Sequence, residues 1–267
     1  MRATVAAIGL LIFLLPAAPG RAQPAPLDEP KIGQESRDSV WVPTPERVIR
    51  RMLQMADTTS RDLVVDLGAG DGRIPIYAAK HFGAFGIGVE LERNLVELSN
   101  KSAAAEGVAN RVRFLQQDLF EADISAATVI ALYISPGVME RLRPRLLALK
   151  PGTRVVSHHF TLGDWQPDEV IQVEGRTGYL WVVPVAVAGE WRVGTSDDEF
   201  LVRVEQRHQA ITTSGERDGK ALHVIGARLR GTEIRFTSFD RDGSTRHFEG
   251  RVDGRRMTGA GWSASRQ

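Results

Sequence analysis

The chain has 267 residues, 42% hydrophobic and 25% charged, with a formal net charge of +1 and a pI near 8.1. Those values suit an ordinary globular protein of one large or two small domains. They disfavour a dedicated nucleic-acid binder, which usually shows a domain pI above ~9 and a clustered basic face. The absence of cysteine excludes disulfides, thiolate catalysis and cysteine-based zinc sites together.

In chain order, residues 1–22 read as a signal peptide or N-terminal anchor. Arg2 precedes an uncharged apolar run over 3–15, then Pro16 and small residues lead to a cleavage point before Gln23. The run is shorter than the ~20 residues of a spanning helix. Cleavage gives an exported, periplasmic protein, and retention gives an inner-membrane anchor with a cytosolic face. Residues 23–40, rich in Pro, Gly and charge without periodicity, read as a flexible linker. Folding is expected from Trp41, with Thr44 capping and Pro45 opening a helix whose stripe is Val48, Ile49, Met52, Leu53 and Ala56.

Strands are expected near 63–67, 86–90, 112–116, 128–134 and 154–158, alternating with helical stretches, one of them from Glu140 to Leu149. Several of these strands are continuously apolar, as buried parallel strands are, so residues 41–188 form an α/β domain with helices on both faces of the sheet. Segments 169–174 and 179–185, around a turn at 175–178, make a closing hairpin. Arg141, Arg143 and Arg145 read as a solvated helix face. His158 and His159 are adjacent on a strand and point to opposite faces, which argues against a shared metal. From 189 to 267 short alternating strands are punctuated by Asp218-Gly219, Gly231, Asp242-Gly243 and Asp253-Gly254. They predict an antiparallel barrel or sandwich with Trp191 and Trp262 plugging opposite ends.

The chemistry concentrates in residues 64–73, VVDLGAGDGR, where an apolar strand runs into a glycine-rich turn. Glycines at 68, 70 and 72 let the backbone approach a ligand closely. Glu90 closes the next apolar stretch near the ~20-residue spacing of a ribose-binding acid. The spacing is G-x-G-x-G, and Arg73 stands where a dinucleotide fingerprint wants its third glycine. Asp66 puts a carboxylate where a ligand's amine could sit and where a pyrophosphate would be repelled. No G-x-x-x-x-G-K-[ST] loop occurs.

With the DLGAGDG turn, Glu90, the RVRFLQQDLF segment at 111–120, the TVIALYI strand and the KPGT turn before RVVSHHF, residues 41–185 resemble a class I, seven-β-strand S-adenosylmethionine-dependent methyltransferase. The VPTP run at 42–45, the LYISP strand end and the late DW pair narrow this likeness. They are similar to a bacterial and mitochondrial group of protein-lysine methyltransferases related to histone-lysine methyltransferases of the telomeric-silencing type. Those histone enzymes usually carry asparagine where this chain has Leu132 and Tyr133.

The resemblance implies S-adenosyl-L-methionine as cofactor, held by Thr44, Asp66, Gly68, Ala69, Gly70, Asp71, Gly72, Glu90, Leu91, Asp118 and Leu119. Glu90 would meet the ribose and Asp118 the adenine amine. Tyr133, Ser135 and Pro136 would line the acceptor channel, with Trp41, His159, Asp164 and Trp165 as secondary candidates. No metal is implied. The implied partner is a protein presenting a lysine, including a membrane protein, and not a nucleic acid. Competing expectations are an NAD-dependent oxidoreductase, a small-molecule methyltransferase, and a non-catalytic exported binding protein with a vestigial nucleoside pocket.

Overall fold

The computed structural model describes residues 29–36, 40–239 and 243–267. The expected leader at 1–22, the linker residues 23–28 and 37–39, and Asp242 of the expected 242–243 turn lie outside the described residues.

The first unit is a seven-stranded sheet. Its strands are β1 (Leu63–Leu67), β2 (Phe85–Glu90), β3 (Val112–Gln116), β4 (Val129–Leu132), β5 (Arg154–His158), β6 (Glu169–Val173) and β7 (Arg176–Val182), in the order β3-β2-β1-β4-β5-β7-β6. The first five run parallel, and β7 is antiparallel to both its neighbours. β1 and β4 are apolar at nearly every position and are buried on both faces, which is why their sequences do not alternate.

The covering helices are α1 (Glu46–Met55), α2 (Arg73–Phe82), α3 (Arg93–Ala105) and α4 (Pro136–Leu147). One face packs α1 through Val48, Ile49, Met52 and Leu53 against Val129, Val156 and Leu180. The other packs Met139, Leu142 and Leu146 of α4 with Leu132, Val155, Trp165 and Trp181. No helix of the described residues is long and apolar enough to cross a membrane.

Three local expectations change. Thr44 does not cap α1; its hydroxyl meets His158 instead, and Pro45 stands at the cap position with no side-chain bond. α4 begins at Pro136, whose fixed φ suits the first helical position, and it runs through Pro144. The β6–β7 turn is Glu174-Gly175, both at positive φ (51° and 76°), a two-residue turn matched to strand twist, so β7 already begins at Arg176.

The second unit is an eight-stranded antiparallel barrel. Its strands are β8 (Gly189–Thr195), β9 (Glu199–Arg207), β10 (Ala210–Arg217), β11 (Lys220–Arg230), β12 (Glu233–Phe239), β13 (Thr245–Asp253), β14 (Arg256–Gly259) and β15 (Trp262–Arg266). Pairing of β15 with β8 closes it and removes the sheet edges. Trp191 sits under the Arg266 guanidinium, and Trp262 packs edge-on against Phe236 and Phe248. In the β8–β15 ladder Trp191 pairs with Arg266 and Trp262 with Thr195, so the two indoles occupy opposite ends of the core.

The units share a joint. Asp164 bridges Arg143 of α4 (2.9 Å) and Arg207 of β9 (2.6 Å), and Trp165 is fully buried beside Trp181 and His208. Val185 N–H donates to the Gly231 carbonyl at 2.9 Å. Asp164 and Trp165, secondary candidates for the acceptor channel, therefore hold the barrel to the sheet.

Candidate active site

The parallel strands deliver their C-terminal ends to one rim, where a cleft opens to solvent. Ten of the eleven expected cofactor residues line it: Thr44, Asp66, Gly68, Ala69, Gly70, Asp71, Glu90, Leu91, Asp118 and Leu119. Gly72 is set back. Its positive φ of 75° begins α2, and a Cβ there would lie 2.5 Å from the Phe114 ring, so it serves helix packing. Tyr133 lines the cleft, whereas Ser135 and Pro136 start α4 outside it.

The glycine turn is held from within. Gly68 and Ala69 N–H groups both donate to the Val89 carbonyl (2.9 and 3.0 Å), and Gly70 N–H donates to Glu90 Oε2 at 2.8 Å. Those donors are therefore not aimed at a ligand as a pyrophosphate site requires. The turn acts by leaving room. Trp41 lies on Gly70 so closely that a Cβ would fall 2.5 Å from its Nε1.

Two acids dominate the electrostatics. Asp66 is 2% exposed and makes no hydrogen bond or ion pair among the described residues. Burial, then the neighbouring Glu90 and Asp71 carboxylates, pushes its carboxyl well above the usual range. Glu90 accepts from Gly70, Leu91 (2.8 Å) and Glu92 (3.0 Å) N–H groups. Its pKa is raised by burial, against the pull of those donors. An uncompensated buried carboxylate beside a second acid is the environment a cationic ligand would relieve.

Contacts invisible in the sequence complete the site. Arg73 chelates Asp71 and donates to the Thr44 carbonyl at 3.0 Å, tying the glycine turn to the segment before α1. The described part of the expected linker is docked. Ser36 donates to Glu92 (2.9 Å), Gln34 pairs with Asn94 (3.2 Å), and Gly33 and Trp41 exchange backbone bonds with their neighbours, which brings Ser36, Val40 and Trp41 to the cleft wall. Of the α4 arginines expected on a solvated face, Arg141 is exposed whereas Arg143 and Arg145 are half-buried and bonded to the loops beside them. Arg145 donates to the carbonyls of Leu119, Phe120 and Ala122 (2.6–2.9 Å), fixing the loop that carries Asp118, and Arg141 covers the Phe120 ring at 3.9 Å. Gln117, not anticipated, also lines the cleft.

Beyond β4 lies an aromatic wall. Tyr133 meets the His158 ring at 4.1 Å and stacks on Phe160 at 6.1 Å. His158 is buried and its pKa falls to about 4, through burial first and then Arg176 and His159, so the imidazole is neutral. His159 is exposed, with a positive φ of 71°.

The donor set fits an adenosyl amino acid. Glu90 keeps spare acceptor capacity, Asp66 is an unanswered carboxyl among the described residues, and the turn N–H groups a pyrophosphate would need are spent. Known proteins point the same way. The family model of the ANTKMT methyltransferase domain matches residues 66–169. A protein-lysine N-methyltransferase of Saccharolobus islandicus is 45% identical over 149 residues, 54% of this chain and 92% of that protein. An adenine nucleotide translocase lysine N-methyltransferase of Mus musculus is 35% identical over 47% of this chain and 55% of its own length. A solved structure from Salinibacter ruber, described as an RNA methyltransferase in complex with S-adenosyl-L-homocysteine, is 51% identical over 55% of this chain and 96% of its own, with a TM-score of 0.54. The family match ends at residue 169, before the barrel begins at Gly189. The chain belongs to the S-adenosylmethionine-dependent protein-lysine N-methyltransferase family.

Proposed function

We propose that this protein transfers a methyl group from S-adenosylmethionine to a lysine side chain of another protein. The single observation that carries this is Asp66, a buried carboxylate with no partner among the described residues, facing the same cleft as Glu90. When bound, the cofactor would supply a methyl group on a sulfonium: the neutral amine forms an N–C bond in line as the S–C bond breaks, the thioether leaves and the amine's surplus proton passes to solvent. The residues of the chain then have modest tasks. Asp66 holds the methionine amine, Glu90 the ribose and Asp118 the adenine side. Trp41, Pro43 and Tyr133 exclude water. A lysine with a pKa near ~10.4 in water must arrive neutral, and apolar walls favour that form.

Val40 and Val42 border the cleft with 49% and 43% of their surface exposed, an apolar rim suited to a membrane-protein acceptor. The apolar run at 3–15 supports the same placement, with the enzyme exported or tethered to a membrane.

A second reading, RNA methylation, is favoured by the description of the Salinibacter ruber neighbour. The chain's pI near 8.1 opposes it. Incubating the protein with isotopically labelled S-adenosylmethionine, a membrane-protein fraction, a soluble-protein fraction and total RNA separates these readings. Label on lysine, located by peptide mass spectrometry, supports the proposal, whereas label confined to RNA overturns it.

A further inference from the structure

The strand order maps the ligand across the sheet. Asp118 follows β3, Glu90 ends β2, Asp66 lies on β1, Tyr133 follows β4 and His158 ends β5. With neighbouring strands ~4.8 Å apart, these ends form a row from the adenine side through the ribose side to the amino-acid side, and then two strands more. Whatever receives the methyl group must lie beyond Asp66, toward β4 and β5. Among the described residues, one buried polar pair stands there against the cleft: Thr44 Oγ1 and His158 Nδ1, 3.2 Å apart.

Thr44 lines the cleft and His158 lies behind it, so the imidazole decides what the hydroxyl offers. If Nδ1 carries the proton, Thr44 accepts from it and turns its own O–H to the cleft. If the proton is on Nε2, Thr44 donates to Nδ1 and presents lone pairs. An acceptor amine needs lone pairs, because its N–H groups must be held while its own lone pair faces the methyl carbon. Thr44 is otherwise immobile. Arg73 holds its carbonyl at 3.0 Å, and Pro45 begins α1 directly after it. His158 is fixed in turn by the Tyr133 ring at 4.1 Å.

We propose that Thr44 Oγ1 is the hydrogen-bond acceptor for the acceptor amine, and that His158 is the positioning residue that keeps its lone pairs turned to the cleft. This rests on the methyltransferase reading and reassigns Thr44 from the cofactor to the acceptor side of the site.

A binding experiment tests it without knowledge of the acceptor. Sinefungin carries a primary amine where S-adenosylmethionine carries its methyl group, and S-adenosylhomocysteine carries nothing there. Both ligands share the adenosine and amino-acid groups, so the change in their affinity ratio on substitution reads the acceptor side. In the full chain sinefungin is expected to bind roughly tenfold more tightly than S-adenosylhomocysteine. Thr44→Val and His158→Phe should each bring that ratio to about one with S-adenosylhomocysteine affinity unchanged within roughly twofold, while His158→Asn, which keeps a hydrogen-bonding atom near Nδ1, restores most of it. The double variant Thr44→Val with His158→Phe should lose no more than either single change.

A ratio that survives in Thr44→Val overturns the proposal. So does a fall in S-adenosylhomocysteine affinity that matches the fall in sinefungin affinity, because that places the pair on the cofactor side. Equal behaviour of His158→Phe and His158→Asn reduces His158 to packing. Failure of the unaltered chain to bind either ligand overturns the methyltransferase reading itself. If His158→Phe does not fold, Thr44→Val and His158→Asn still decide the matter.

Discussion

The strand-end cleft and the barrel bury polar groups in opposite ways. In the barrel Trp191, Phe200, Phe236, Phe248 and Trp262 fill the interior, and the half-buried Asp198 carboxylate pairs with Arg217 at 2.7 Å. In the cleft Asp66 is answered by nothing among the described residues, and Glu90 only by backbone N–H groups. The barrel interior is filled by apolar side chains, and the cleft keeps a carboxyl with no partner among the described residues. Sites of this kind carry function at a cost to the empty fold.

Four changes break or sharpen that contrast. The largest effect on stability is expected for Trp262→Ala, which removes a ring packed on Phe236 and Phe248 and a donor to the Glu249 carbonyl at 3.0 Å. Chemical denaturation should show a loss of about 3–5 kcal/mol. Cofactor affinity should hold within roughly twofold where the protein remains folded. A matching fall in affinity would show that the barrel shapes the cleft.

Asp66→Asn should do the reverse. If Asp66 holds the cofactor's amine as proposed, removing its charge should weaken binding by about 2–3 kcal/mol in a calorimetric titration. The unliganded protein should at the same time melt at a higher temperature at neutral pH. The sign follows from the raised pKa of Asp66. A carboxyl whose folded pKa is raised contributes stability below its ordinary value of 3.8 and loses that contribution as pH rises through the folded value. A lower melting temperature would mean that Asp66 supports the fold.

Gly70→Ala is a smaller perturbation. At φ 55° an alanine costs about 1–2 kcal/mol, and its Cβ displaces Trp41 from the glycine turn. Quenching of tryptophan fluorescence by acrylamide should rise as Trp41 is released. Unchanged quenching would show that the indole does not depend on that glycine.

The smallest effect is on pH dependence. Between the ordinary and the raised pKa, Asp66 is protonated in the empty cleft and must lose its proton to pair with a cation. Affinity should therefore fall as pH is lowered, by up to about tenfold per pH unit, and the slope should vanish in Asp66→Asn. A slope that persists in the variant would shift the linkage to Glu90.

The glycine turn and Glu90 were legible in the sequence because a turn's conformation and a strand's end are local properties, whereas Asp118 was legible only through the family resemblance. The barrel was legible for a similar reason: its Gly-containing turns and alternating strands repeat at short range. Arg73 was legible only as a departure from a dinucleotide pattern. Its bond to the Thr44 carbonyl spans 29 residues and follows from no local signal. The same holds for the docking of Ser36 on Glu92, which lies in a segment whose composition suggests a tether. Asp164 and Trp165 carried a family signal for the site, yet the burial of Trp165 beside Trp181 and His208 and the ion pairs of the exposed Asp164 with Arg143 and Arg207 make them the joint with the barrel. Arg143 and Arg145 looked solvated because they donate to backbone carbonyls, which side-chain patterns do not announce.

The central claim is that Asp66 and Glu90 form a cofactor site at the strand ends. Its most direct test is calorimetric titration of S-adenosylmethionine into the unaltered chain and into Glu90→Ala. A micromolar dissociation constant, about 8 kcal/mol, is expected for the unaltered chain, with no measurable binding to a folded Glu90→Ala. A folded chain that takes up no S-adenosylmethionine, or a Glu90→Ala variant that binds it equally well, would contradict the claim.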